Sequence, residues 1–198
     1  MMPDRLRHSG PSDGPVLLLF HGGVEESSLR VPGWLLAPPL VPVLGLQRRA
    51  AAAGIHAWVL RHSVLGWNDG EPVREAREAL AAVQAARPGS PIVVAGHSMG
   101  ARTAVRVAED PAVAGVVALA PWFPSDEPVD PVAGKRLRVA YAAWDHTCPF
   151  SSMATFLDGA RRVADVTTRS MGNDVHAMLR RGRWARFVTE QVRDLTAS

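Results

Sequence analysis

A chain of 198 residues, 47% hydrophobic and 21% charged, has room for one domain with a sizeable core. Its 22 basic and 19 acidic side chains leave a net charge of only +3, and the basic residues, nearly all arginine, have no interleaved aromatics, which argues against nucleic acid as a partner. No apolar run is long enough to span a membrane and no basic-then-apolar leader opens the chain, so a cytoplasmic protein with no membrane partner is expected.

Residues 1–15 carry no strand pattern and are expected to be a poorly structured leader. Val16–Phe20 is a continuous apolar run, as in a strand buried on both faces. A stretch containing Pro32, Pro38, Pro39 and Pro42 leads into a helix over 47–53 that Gly54 ends. Residues 55–60 read as the next strand. Pro72 opens a helix over 73–86, with Ala76, Leu80 and Val83 on one face, and Pro88-Gly89 stops it. Strands follow at 91–95, 113–120 and 137–143, and a helix over 99–109 comes directly after the first of them. A helix over 151–163, a weaker strand over 165–170 and an amphipathic helix over 184–195 complete the chain. Short apolar runs alternating with helices predict a single α/β domain over 1–198, with about six mostly parallel strands and helices on both faces.

The most informative residues are Gly96-His97-Ser98-Met99-Gly100. A buried strand ends at Ala95 and a helix begins at Met99, so Ser98 falls on the tight turn between them. Such a turn strains the backbone at the serine and leaves no room for a side chain at the flanking glycines. In this context the chain resembles the α/β-hydrolase superfamily over roughly residues 16–195, and looks like a small, lidless, dienelactone-hydrolase-like esterase. The resemblance implies a nucleophile, acid, histidine order along the chain. Ser98 then matches the nucleophile, Asp145, directly after the strand two places beyond, the orienting acid, and His176, in the loop after the last strand, the base. Asp126 is the rival acid, since some members carry it one strand earlier. The family's oxyanion hole maps onto the amide of Met99 and an amide of the turn His21-Gly22-Gly23, with Gly23 preferred and Val24 the runner-up.

Of the remaining histidines, His21 is expected to brace the oxyanion turn, His97 to pack against neighbours, and His56 to be structural, while His146 lies on the wrong loop for the base. Cys148 has no partner cysteine, so neither a disulfide nor a cysteine-based zinc site is expected, and no metal or cofactor is implied.

Only residues 123–136 join the fourth and fifth strands, too few for a cap domain. The site is therefore expected to be open, roofed at most by the loop over 25–41. Trp67, Trp122, Phe123 and Trp144 fall near strand ends and Trp34 in the roofing loop, which makes them candidates for substrate binding. The resulting expectation is hydrolysis of a small-molecule carboxylic ester through an acyl-enzyme. Alternatives with the same triad are thioester cleavage, acyl transfer or lactone processing, for which the arginine patch of Arg180, Arg181, Arg183 and Arg186 would suit an acidic carrier protein. A binding protein without turnover is a third reading.

Overall fold

A computed structural model describes residues 3–31 and 38–197. Strands β1 (Leu6–Ser9), β2 (Val16–Phe20), β3 (His56–Leu60), β4 (Ile92–His97), β5 (Val113–Leu119), β6 (Arg136–Tyr141) and β7 (Asp165–Ser170) form one sheet in the order β1-β3-β2-β4-β5-β6-β7. All neighbours are parallel except β1, which runs antiparallel to β3. Helices α1 (Leu40–Ala52) and α5 (Arg181–Thr196) cover one face. Helices α2 (Glu71–Ala86), α3 (Met99–Arg106) and α4 (Ala154–Ala160) cover the other.

Covering both faces explains why every residue of Val16–Phe20 is buried. Val16, Leu18 and Phe20 pack toward α2 and α3, while Leu17 and Leu19 pack toward α1 and α5. Register positions the functional end of the sheet. Phe20 pairs with Gly96 across β2 and β4, so the turns that follow, one beginning at His21 and the other at His97, leave the sheet side by side.

Three expectations need correction. The leader does contain a strand: β1 has a single apolar residue, Leu6, and is held by its ladder to β3 rather than by burial. The sheet therefore has seven strands among the described residues. The helix expected over 47–53 begins at Leu40, because a proline in the first turn (Pro42) forfeits no intrahelical donor, and burial of Leu40, Val43 and Leu46 outweighs the cost of Gly45 inside it. The helix expected over 151–163 is instead a short 3-10 turn, Phe150–Met153, followed by α4. Trp34 lies outside the described residues. Among those described, no helix is long and apolar enough to cross a membrane.

Candidate active site

Ser98 sits between β4 and α3 with φ 57° and ψ −121°, a conformation that costs a non-glycine residue free energy. The surroundings enforce it. The Ser98 N–H donates to Leu119 O at 3.0 Å, and Ser98 O accepts from the N–H groups of Ala101 and Trp122. The flanking glycines are steric necessities: a Cβ on Gly96 would stand 2.0 Å from Gly100 O, and one on Gly100 would stand 2.3 Å from Phe20 O.

Two other strand ends converge here. Asp145 follows β6 and is buried. Its Oδ2 accepts from His176 Nδ1–H at 2.8 Å, and its Oδ1 accepts from the N–H groups of Thr147 (2.9 Å) and Cys148 (2.8 Å). Burial acts to raise the pKa of this carboxyl, but the bonds from His176 and the two amides outweigh it and hold it below the usual carboxylate range. Asp126 is exposed and His146 is exposed, and neither makes this contact.

The loop that carries His176 is held chiefly by Asp174, a residue the sequence alone does not single out. Asp174 is buried; its Oδ1 accepts from the N–H groups of Val175 and Leu179, and its Oδ2 from Arg180 N–H and Trp184 Nε1–H. Its carbonyl accepts the N–H of Trp144, which ties the histidine loop to the acid loop. His97 also contributes: its Nε2 lies 2.8 Å from His176 O, and since a carbonyl can only accept, the His97 proton is on Nε2. Burial, with His176 adding to it, pushes the His97 imidazole down to about 4, so it is neutral.

Across the site, Gly22 and Gly23 line the same cavity as Ser98 and His176. The His62 N–H donates to His21 Nε2 at 3.0 Å, which leaves the His21 proton on Nδ1, 2.6 Å from Gly22 O. Burial, reinforced by His62, pushes His21 down to about 3. The Val24 N–H is engaged by Leu65 O at 2.9 Å. Met99 opens α3, where an N–H has no intrahelical acceptor.

The cavity has a volume of about 380 Å³. Its walls are the glycine turn, Pro38, Pro39 and Pro42 at the start of α1, and His97, Ser98, Thr147, His176 and Ala177. No carboxylate, lysine or arginine lines it among the described residues. Cys148 lies beside Ser98, and burial, followed by the Asp145 carboxylate, pushes its thiol up to about 11 despite the contact with Ser98, so it stays protonated.

The aromatic candidates lie elsewhere. Trp67 is buried beneath the Arg102 guanidinium, 3.8 Å from the ring centroid, and lines a different cavity. Trp122 also faces Arg102, Phe123 is in the core against Phe156, and Trp144 is exposed. None of these four lines the cavity at Ser98. Arg102 and Arg106 in turn bind the buried Glu127. Within the arginine patch, Arg183 turns inward to Met171 O at 2.7 Å. Among the described residues, no three His, Cys, Asp or Glu side chains come together in a way that could hold a metal ion.

The model of the alpha/beta hydrolase family matches residues 16–197. The chain belongs to that family. No protein of curated function matches it in sequence. Among solved structures it is similar to an alpha-beta serine hydrolase homologue from Coxiella burnetii, at 18% identity and a TM-score of 0.70 over 100% of this chain and 95% of that one. It is also similar to Est1E from Butyrivibrio proteoclasticus with ferulic acid bound, at 14% identity and TM-score 0.70 over 98% and 95% of the two chains. A third is the butyrate-bound thermophilic esterase Est2 from the planctomycete Thermogutta terrifontis, at 14% identity and TM-score 0.61 over 96% and 86%. At such identities the likeness is one of fold.

Proposed function

We propose that this hydrolase-family protein is a serine esterase that cleaves small, uncharged carboxylic esters through an acyl-enzyme. The observation that carries the reading is the convergence of three strand ends: Ser98 on its strained turn shares a cavity with His176, and His176 is bonded to the buried Asp145. Asp145 holds the His176 proton on Nδ1 and leaves Nε2 free to take the Ser98 proton as Oγ attacks the ester carbonyl. The negative oxygen of the tetrahedral intermediate is met by the N–H groups of Gly23 and Met99. His176 then passes its proton to the departing alcohol, and water, activated by the same histidine, releases the acid from Ser98.

A described lining without carboxylate, lysine or arginine favours uncharged acyl groups, and about 380 Å³ suits a short or single-ring acyl chain. Two measurements test the reading together: labelling by a fluorophosphonate probe, and turnover of a panel of soluble aryl esters, thioesters and lactones. One adduct, at Ser98, and turnover abolished in Ser98→Ala are expected. Labelling that survives unchanged in Ser98→Ala would overturn it, and faster turnover of thioesters or lactones would change the substrate class.

A further inference from the structure

Glu75 stands among the core-facing residues of α2, between Pro72 and Ala79, and is buried. A carboxylate there is costly unless donors meet it. Arg5 binds one oxygen, His62 Nδ1–H reaches the other at 3.1 Å, and the Ser63 N–H reaches both, at 3.3 and 3.1 Å. Although burial works to raise its pKa, these donors bring it down to about 2. Glu75, itself bound by Arg5, thus grips the chain just after β3, at residues 62 and 63.

That grip reaches the reaction centre. The His62 N–H, held in place, donates to His21 Nε2, and His21 Nδ1–H donates to Gly22 O. The Gly22 carbonyl and the Gly23 N–H belong to one planar trans peptide and point in opposite directions, so pinning the oxygen aims the N–H. We infer that Glu75 is a positioning residue: through His62 and His21 it orients the Gly22–Gly23 peptide and directs the Gly23 N–H toward the oxygen that becomes negative during ester cleavage. This rests on the serine-esterase reading above. Because the ground-state ester gains little from that N–H, the loss of Glu75 falls on kcat and not on KM.

The test is a double-mutant cycle on the full chain with a soluble aryl acetate, with fluorophosphonate labelling of each protein and circular dichroism to establish folding. Glu75→Ala is expected to lower kcat about 30-fold with KM within about twofold, and His21→Ala about 100-fold, the scale of one lost oxyanion donor. The double variant should be no slower than His21→Ala, since both changes release the same peptide. His21→Asn, whose Nδ2–H stands where Nδ1–H stood, should recover to within about fivefold of wild type, whereas His21→Gln should not. Should Glu75→Ala fail to fold, Glu75→Gln enters the same cycle with an expected loss of about fivefold and again no further loss on the His21→Ala background. A labelled wild type with kcat changed less than about threefold in the Glu75 variant, an equal rise in KM, or losses that multiply in the double variant would overturn the positioning role alone. A wild type not labelled at Ser98 would overturn the esterase reading and this inference with it.

Discussion

Replacing Asp145 by asparagine separates charge from hydrogen-bond geometry at the proposed triad. In the protein, Oδ1 accepts two backbone N–H groups and Oδ2 accepts His176 Nδ1–H. Asparagine offers one accepting oxygen and one donating nitrogen, so only two arrangements exist. With the oxygen toward Thr147 and Cys148, both amide bonds persist, but an NH2 group faces His176 Nδ1. The imidazole must then accept there and carry its proton on Nε2, the nitrogen needed to receive the Ser98 proton. In the flipped arrangement the productive tautomer survives, but two N–H donors face a donor, at about 1–3 kcal/mol each. The first arrangement is thus favoured by about 2–6 kcal/mol, and at 3 kcal/mol the productive form holds under about 1% of the population. We expect Asp145→Asn to lower kcat by about 10²- to 10⁴-fold with KM little changed and the fold intact. Steady-state kinetics on a soluble aryl acetate, with the rate of fluorophosphonate labelling, measure this. Retention of more than about a tenth of kcat, or a crippling effect of Asp126→Asn instead, would refute the reasoning.

Asp174→Asn should destabilise the protein by about 3 kcal/mol or more, because one oxygen cannot serve four donors in either orientation. Urea titration measures it, and an unchanged midpoint would count against the role given to this side chain. Acid should also destabilise the fold. His21 and His97 take up protons near pH 6.5 when unfolded but only at about 3 and about 4 when folded, so stability present above pH 6.5 is lost on acidification. The slope should approach about 3 kcal/mol per pH unit between about pH 6 and pH 4, and His97→Asn should roughly halve it. Stability that is flat from pH 7 to pH 5 would contradict the neutral state assigned to these histidines.

Features confined to a few consecutive residues were legible in the sequence. The Ser98 turn is one: an apolar strand, two glycines and a helix start are all local, and so is the crowding that demands them. Asp145 and His176 could be placed from chain order within the family resemblance, and the two side chains do meet. Glu75 carried a faint signal, a glutamate amid the apolar positions 72, 76, 79 and 80 of its helix. Features that depend on distant partners were not legible. Strand β1 has almost no apolar pattern, since its stability comes from pairing with β3. The tryptophans near the strand ends could be counted, but only the folded loops and the arginines of α3 turned Trp67 and Trp122 away from the Ser98 cavity. His62 meets His21 across 41 residues, Arg5 meets Glu75 across 70 and His97 meets His176 across 79. Periodicity and turn chemistry record what a residue does within its own segment, whereas such pairings exist only once the sheet register has set the segments side by side.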